Sequence, residues 1–442
     1  MKQKGLYMVL CALLMVLLLA PMVQQQAHPF KLKKLNGAIV KVEKPELTLE
    51  AYRDVSYQSK LESYIGANFG FHEWVIRLYN QYLWLFRKTY AADVVVGKDK
   101  WLYGVTSVKN HYRQASYEFA DTNEEMEQML GKDVKRLKKV QDLLEQRGIK
   151  CFFLVCPSKD ILYPEYLPEY GEWVMGDGLV ALDYCLKAFD EQGVNYLDLC
   201  TWFAQIKDSV DYPIFPRTGL HWSDAASVYA ADTLIRYMEQ LTGKNLPNIQ
   251  AGPLFMSETW YPDNDLERSM NLMWPIQPNT NLYTSASVIP DSTAQQLSLL
   301  SIGDSFFWNF GFTLPMDKLF KTYHYWYYFS SVHFDPEHSS VDQINLLDEF
   351  SRTDVVMLCY NASKLYGFNQ GFLSRAQVEL SLDDPESLNR IIDVIKQRME
   401  NNKEWYESIK LKAVQRGKTL DEVMREDALY LISKNPEDYL NN

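Results

Sequence analysis

Ser305 is the residue whose place in the sequence best suits a chemical role. It ends the tripeptide Gly303-Asp304-Ser305, which closes the apolar run 297–303 and precedes the aromatic, helix-compatible segment 306–310. A serine at a strand-to-helix turn presents its hydroxyl at the sheet edge, where the amides of the first helical turn face an oxyanion on an attacked acyl group. An Asp-Ser helix cap is the alternative. The position directly after a buried strand favours a nucleophile.

A serine hydroxyl is a poor nucleophile unless a base takes its proton. His221 is the best candidate base, because it lies in a loop after Pro213 and Pro216 and immediately before the predicted helix 223–241. Loops at strand ends hold reactive groups over a rigid scaffold, whereas local capping or packing is the alternative for this histidine. The competing histidines lie in an aromatic patch or a Ser/Pro/Glu-rich loop: His324, His333 and His338. We therefore predict that His221 lies about 2.6–3.2 Å from the Ser305 hydroxyl.

Apolar runs and helical patterns alternate along the part of the chain that must position these residues. The strand-like runs are 149–157, 195–199, 297–303 and 354–360, and the helical patterns are 122–148, 179–192 and 223–241. Continuous apolar runs are typical of strands buried on both faces of a parallel sheet. The alternation predicts a doubly wound α/β sheet flanked by helices. In such sheets, ligands bind at the carboxyl ends of the strands.

Five further positions are candidates for binding a substrate or an oxyanion. Lys159 and Tyr163 follow the 149–157 strand, Asn361 follows the 354–360 strand, and Arg217 and Trp222 lie in the His221 loop. The Asn361 amide would face an oxyanion, and Arg217 would meet a sugar acid or hydroxyl. A surface lysine, a packed tyrosine, a turn asparagine and a solvated arginine are the corresponding alternatives. The aromatic segment 323–329 is either a sugar-stacking wall or an alternating strand.

The composition argues against several classes of protein. The 442 residues carry 45 Lys and Arg against 57 Asp and Glu, a net charge of -12, which argues against a nucleic-acid-binding protein. The 47% apolar content is enough for a large core. The sequence has no metal-ligand spacing, phosphate-binding glycine loop or dinucleotide fingerprint. We therefore predict neither a metal nor a cofactor.

The first residues predict a membrane anchor. Lys2 and Lys4 precede the apolar run 6–23, whose 18 residues form a helix about 27 Å long, near the thickness of a bilayer core. Residues 22–26 offer no clean signal-peptidase site, so an uncleaved anchor is favoured over a removed signal peptide. Basic residues hold the amino terminus in the cytoplasm. The sequence thus predicts a single-pass protein of the cytoplasmic membrane with an extracytoplasmic body.

Four segments, taken in order, carry a resemblance to a known family. They are the hairpin-like residues 94–103, the motif that begins Cys156-Pro157-Ser158-Lys159 and ends at Pro168, the His221-Trp222 loop, and Gly303-Asp304-Ser305. This order resembles the SGNH-hydrolase-like O-acetyltransferases of the alginate O-acetyltransferase type, which modify bacterial exopolysaccharides. The resemblance covers roughly residues 50–385. It implies a membrane anchor at 1–25, a stalk and helical region at 26–93, an SGNH-like catalytic domain at 94–384 and a helical extension at 385–442.

The resemblance also implies an activity and partners. Ser305 would accept an acetyl group with His221 as base, and the acceptor would be a hydroxyl of a cell-surface or secreted polysaccharide. A multi-pass membrane O-acyltransferase would supply the acetyl group. The alternatives are a carbohydrate acetylesterase, which uses water as acceptor, and a non-catalytic glycan-binding subunit of a polysaccharide export machine.

One position departs from the family pattern, which has an Asp two residues before the catalytic histidine. Gly219 stands there in this chain. Three explanations remain open: a Ser305–His221 dyad without a carboxylate, a carboxylate from elsewhere such as Asp211 or Asp224, or a backbone carbonyl that holds the ring. If the dyad is bare, the Gly219→Asp change is expected to preserve or increase turnover.

Overall fold

A six-stranded sheet forms the centre of the computed structural model, which describes residues 2–37, 42–169 and 173–434. The strands of the described chain are β1 (Val94–Val96), β2 (Leu102–Gly104), β3 (Lys150–Cys156), β4 (Tyr196–Asp198), β5 (Ile249–Ala251), β6 (Phe255–Glu258), β7 (Thr280–Tyr283), β8 (Ala286–Val288), β9 (Leu297–Gly303), β10 (Phe320–Tyr327), β11 (Ser331–His333) and β12 (Val355–Asn361). The order in the central sheet is β11-β10-β9-β12-β3-β4. All neighbours in it are parallel except β11, which pairs antiparallel with β10. The predicted parallel α/β sheet is confirmed.

Helices cover both faces of this sheet. The helices are α1 (Lys2–Ala27), α2 (Leu49–Arg53), α3 (Ser56–Ala67), α4 (His72–Leu85), α5 (Val105–His111), α6 (Asn123–Glu145), α7 (Lys159–Leu162), α8 (Ala181–Gln192), α9 (Leu199–Ile206), α10 (Asp224–Thr242), α11 (Asp265–Ser269), α12 (Phe307–Thr313), α13 (Met316–Leu319), α14 (Leu346–Ser351), α15 (Phe372–Asp383), α16 (Pro385–Asn401), α17 (Lys403–Arg416) and α18 (Leu420–Lys434). Successive side chains of a strand point to opposite faces. Phe152 accordingly packs against Tyr237 of α10, and Phe153 against Phe189 of α8.

The predicted elements coincide with observed ones because their local signals are strong. Thr122 caps α6 by accepting a hydrogen bond from the Glu125 amide at 3.2 Å. Gly148, expected just past the end of this helix, has a φ of +77°. The aromatic segment 323–329 lies mostly in β10, where Tyr325 and Trp326 are fully buried, so the strand interpretation is confirmed.

Both ends of the chain carry helical extensions. Among the described residues, one helix, within Lys4–Ala27, is long and apolar enough to cross a membrane. At the other end, α16, α17 and α18 pack around a core of their own, made of Ile392, Ile395, Met399, Ile409, Ala413, Val423, Met424, Ala428 and Ile432. The predicted domain boundaries at residues 25, 93 and 384 stay predictions.

Strands β9 and β12 approach each other closely at the end of the sheet that carries Ser305. Gly303 pairs with Cys359, and a Cβ atom on Gly303 would lie 1.9 Å from the Cys359 carbonyl oxygen. Both residues are buried, and the Cys359 carbonyl accepts a hydrogen bond from the Asp304 amide at 3.0 Å. Only glycine therefore permits the approach that sets the direction of the following turn.

We predict that Gly303→Ala destabilises the fold by more than about 2 kcal/mol, because the added methyl overlaps a backbone oxygen in a packed interior. The control is Gly66→Ala in α3, where an added Cβ meets nothing within 4 Å. That control should be neutral, or stabilising by up to about 1 kcal/mol, because alanine favours the helix. Urea unfolding of the purified chain measures both. Equal stabilities for the two variants would contradict the close approach.

Candidate active site

Ser305 lies in the turn between β9 and α12, at the carboxyl end of the sheet, and is partly exposed. Asp304 beside it fixes this turn. Its carboxylate accepts hydrogen bonds from the Phe306 amide at 3.0 Å and the Asn361 amide at 2.8 Å, and its carbonyl accepts one from the Tyr325 hydroxyl at 2.5 Å. The turn is thereby tied to both strands that flank β9.

Asp304 is 1% exposed. Burial raises the pKa of its carboxyl group to about 6, and the two amide donors partly oppose this rise because they stabilise the charged form. All its hydrogen bonds are to backbone groups or to Tyr325, so Asp304 holds the Ser305 turn.

His221 reaches Ser305 from the loop before α10. The Nε2 atom lies 2.7 Å from the Ser305 Oγ atom, which confirms the predicted distance. Ser223 anchors this loop: its amide donates to the Ile214 carbonyl at 2.8 Å, its hydroxyl donates to the Pro213 carbonyl, and the same hydroxyl caps α10. The loop therefore closes on itself, and the ring is held over the sheet edge.

Asp265 supplies the carboxylate that the sequence analysis lacked. Its Oδ2 atom lies 2.6 Å from His221 Nδ1, and its Oδ1 atom accepts hydrogen bonds from the amides of Leu220 and Leu266 at 2.7 and 2.6 Å. The His221 and Asp265 side chains are 12% and 16% exposed. Oδ2 of Asp265 accepts the Nδ1 proton, so Nε2 of His221 is left free to accept the Ser305 proton. The three side chains form a Ser-His-Asp arrangement.

Residues 94–302 match the sequence model of a family described as the SGNH hydrolase-like domain of the acetyltransferase AlgX. This part of the chain, somewhat less than half of it, is similar to an SGNH hydrolase-like domain. The match includes His221 and Asp265 and ends three residues before Ser305, whose place in the site rests on the geometry above.

Individual proteins give more limited matches. The chain is 28% identical over 141 residues to the probable alginate O-acetylase AlgJ of Pseudomonas aeruginosa, and the match spans 32% of this chain and 32% of that relative. Among solved structures, the O-acetyltransferase domain of Pseudomonas putida AlgJ is 17% identical, with a TM-score of 0.43 over 64% of this chain and 98% of that one. Bacillus cereus PatB1 is 13% identical, with a TM-score of 0.37 over 62% and 99%. The chain thus spans about a third of the curated relative that it matches.

Of the explanations offered for Gly219, a carboxylate from elsewhere agrees with the geometry, whereas the bare dyad and the two carboxylates named as examples do not. Asp211 is exposed, and Asp224 accepts hydrogen bonds from Trp260 and Asn309 instead of facing His221. Asp265 fills the role from 44 residues further along the chain. No spacing motif links it to His221. The only local signal is the run Asp263-Asn264-Asp265 at the start of a short helix.

Trp222 and Asn361 lie near Ser305 but are engaged with the protein itself. Trp222 is fully buried, and its indole donates to the Phe306 carbonyl at 3.2 Å, which ties the His221 loop to the Ser305 turn. Asn361 is 3% exposed, its amide nitrogen donates to the Pro157 carbonyl, and its amide oxygen accepts from the Ser363 amide. The amide nitrogen carries a second N–H beyond the one given to Pro157, and a role for Asn361 at an oxyanion stays a prediction.

The amides of the first helical turn are also occupied. The Phe306 amide donates to the Asp304 side chain, and those of Phe307 and Trp308 donate to the carbonyls of Asp304 and Ser305. Within the described parts of the chain, the Ser305 amide has no hydrogen-bond acceptor. The Ser305 amide is thus the donor best placed for an oxyanion.

Lys159, Tyr163 and Arg217 lie on the other side of the His221 loop. Lys159 is 1% exposed and surrounded by backbone carbonyls, so it does not reach a surface where substrate would bind. Tyr163 and Arg217 line a cavity of about 260 Å³ beside residues 213–218. The Arg217 guanidinium donates to the Pro278 carbonyl at 2.9 Å. Substrate contacts for these two residues stay predictions.

Two of the competing histidines pair with carboxylates elsewhere, and the third, His333, lies 3.0 Å from the Ser331 hydroxyl. His324 lies 2.6 Å from Glu349, and His338 lies 2.8 Å from Asp335. Glu349 and the ring of His324 stabilise each other's charged forms, so the pKa of His324 is raised. Across residues 2–37, 42–169 and 173–434, no group of three or more His, Cys, Asp or Glu side chains is arranged to hold a metal ion.

We predict that Asp265→Asn slows covalent labelling of Ser305 by a fluorophosphonate probe about 10³- to 10⁴-fold, because the amide favours the wrong tautomer of His221. The matched control is Asp211→Asn, an exposed carboxylate that the sequence left as a candidate. Its labelling rate should stay within about twofold of the parent, as for most surface changes. Equal rates in the two variants would refute the role of Asp265.

We predict that Gly219→Asp impairs the domain instead of improving it. A Cβ atom there would lie 2.6 Å from the Asp263 carbonyl oxygen and 2.8 Å from the Pro216 ring. The loop must move to accept any side chain, and overpacking of this kind costs about 1–3 kcal/mol. Gly219→Ala, which adds only the methyl group, should lower the melting temperature and the labelling rate as well. An active, fully stable Gly219→Asp variant would contradict this view of the loop.

Proposed function

We propose that this protein is an O-acetyltransferase that transfers acetyl groups to hydroxyls of a cell-surface or secreted polysaccharide through an acetyl-Ser305 intermediate. The observation that carries the proposal is the line of contacts Asp265–His221–Ser305, at 2.6 and 2.7 Å, in an SGNH hydrolase-like domain. The names of the matched family and relatives, an acetyltransferase and an alginate O-acetylase, support the acetyl group and the polysaccharide acceptor.

In the first half of the reaction, the Ser305 oxygen attacks the acetyl carbonyl while its proton passes to Nε2 of His221. The Ser305 amide stabilises the oxyanion of the tetrahedral intermediate. Asp265 stabilises the imidazolium that forms. The intermediate collapses, His221 protonates the leaving group, and acetyl-Ser305 remains.

In the second half, a sugar hydroxyl attacks acetyl-Ser305 and gives its proton to His221. Collapse of the second intermediate releases the acetylated sugar, and the proton returns from His221 to Ser305. The partly exposed Ser305 lies at the carboxyl edge of the sheet, where a polymer can approach from solvent.

In this proposal, the residues after α1 lie on the outer side of the cytoplasmic membrane, and α1 anchors them to it. The apolar span in Lys4–Ala27 and the lysines before it support this orientation. An acetyl donor on the outer side of the membrane can be replenished only if acetyl groups cross the bilayer. We therefore also propose a multi-pass membrane O-acyltransferase as partner.

An esterase would use the same three side chains with water as acceptor. A non-catalytic glycan-binding subunit needs no carboxylate beside His221, so the position of Asp265 argues against that alternative. The two enzymatic readings differ only in the acceptor, so the experiment must follow the acetyl group to its product.

We predict that Ser305→Ala lowers acetyl transfer from an activated acetyl ester to a polysaccharide by about 10³-fold or more, with little loss of stability. Intact-protein mass spectrometry follows acetyl-Ser305, and NMR of the polymer follows the product. Ser287→Ala, on exposed β8, is the control and should behave as the parent.

Three outcomes separate the hypotheses. Transfer to sugar that is lost in Ser305→Ala supports the proposal. Release of acetate alone, whatever the polymer added, identifies an esterase. Full transfer by a folded Ser305→Ala protein excludes the acyl-enzyme mechanism.

A further inference from the structure

The side chain of Lys159 is buried beside the loop that carries His221. Lys159 begins α7 directly after β3, and it is 1% exposed. Its nitrogen lies within hydrogen-bond distance of four backbone carbonyls, which share its N–H groups: those of Leu102 at 2.7 Å, Pro216 at 2.8 Å, Gly219 at 2.8 Å and Arg217 at 3.1 Å. Three of these carbonyls belong to the loop that leads into His221, and the fourth belongs to β2. The lysine therefore joins the His221 loop to the hairpin.

The surroundings of this amine suit its charged form. All four hydrogen-bond partners are acceptors, so a neutral amine would point its lone pair at an oxygen. The rings of Trp101 and Tyr103 add their negative faces, with centroids 4.9 and 5.2 Å from Nζ. Burial is the largest effect and holds the pKa of Lys159 well below its ordinary value; Asp265 and Asp263 oppose this fall, and the charge of Arg217 adds to it.

The carbonyls of Pro216 and Gly219 depend on this amine, whereas the Arg217 carbonyl also accepts a hydrogen bond from the Leu102 amide at 2.9 Å. Oxygens of residues 216, 217 and 219 converge on one point, where their partial charges repel each other unless a donor stands between them. A buried carbonyl without a partner costs about 1–3 kcal/mol. The other side of Gly219 is closed by the Asp263 backbone, since a Cβ atom there would lie 2.6 Å from the Asp263 oxygen. The loop is thus held from both sides two residues before His221.

We propose that Lys159 is a positioning residue for the acylation of Ser305, which it serves by clamping residues 216–219 so that His221 stands between Ser305 and Asp265. The inference rests on the proposed function of that site. Lys159 is too deeply buried to touch a substrate, so it acts only through the loop. No other described lysine ammonium gathers three carbonyls of the His221 loop.

The proposed role has a signature beyond stability. A displaced His221 slows the chemical step and leaves substrate binding unchanged, so kcat should change and KM should not.

The test compares Lys159→Met and Lys159→Gln with Lys207→Met in the purified full chain. Methionine keeps the length and apolar stem of lysine, and glutamine keeps two donors. Lys207 is the matched control, because its ammonium also donates to a carbonyl, that of Leu162, and lies 4.8 Å from the Tyr163 ring centroid, outside the His221 loop. Fluorophosphonate labelling of Ser305, hydrolysis of a small acetyl ester and circular dichroism are measured on each protein.

We expect Lys159→Met to remain folded and to label about 100-fold more slowly, as displaced catalytic groups do. Its kcat for the ester should fall with KM little changed, and Lys159→Gln should recover part of the rate. Lys207→Met should match the parent.

Several results would overturn the proposal. One is a parent-like labelling rate in folded Lys159→Met, and another is a change confined to KM. A third is loss of folding in both Lys159 variants, because the lysine would then stabilise the whole domain and not the His221 loop alone. A parent protein whose Ser305 does not label at all would refute the proposed function itself, and so the two failures are distinguishable.

Discussion

The contact between Nδ1 of His221 and Oδ2 of Asp265 joins two segments that lie 44 residues apart, and the rest of the site depends on it. It fixes which ring nitrogen faces Ser305. The Leu220 amide binds the other oxygen of the same carboxylate, so the contact also fixes the end of the His221 loop. Since a histidine on a loop would otherwise rotate among several orientations, the carboxylate turns a mobile side chain into an oriented base.

The sheet constrains the nucleophile in the same way that Asp265 constrains the base. Gly303 lets β9 approach β12, and the buried Asp304 carboxylate then binds amides on both sides of the turn. Trp222 connects the two halves through its hydrogen bond to Phe306. Ser305 and His221 come from different parts of the chain. Because both are attached to the same rigid sheet edge, their relative position is fixed.

Buried polar groups stabilise the relative positions of Ser305 and His221. The side chains of Asp304 and Lys159 are each 1% exposed. Asp304 binds backbone groups of the Ser305 turn and β12, and Lys159 binds backbone carbonyls of β2 and the His221 loop. Because a buried polar group without a partner is costly, such groups make the loop conformation that satisfies them much more favourable than other conformations of the same loop. The surface that meets substrate can then vary while the triad keeps its geometry.

The sequence by itself determined four strands of a parallel sheet and pointed to Ser305 and His221. Each is marked by a local pattern: a continuous apolar run, a strand-to-helix turn, or a loop before a capped helix. Tertiary structure alone decided the carboxylate and the place of Lys159. Asp265 begins a five-residue helix with no periodicity to mark it, and only the folding of residues 216–221 against 263–265 brings it to His221. A lysine after a strand is usually a surface residue, and Lys159 is buried because the hairpin and the His221 loop close over it.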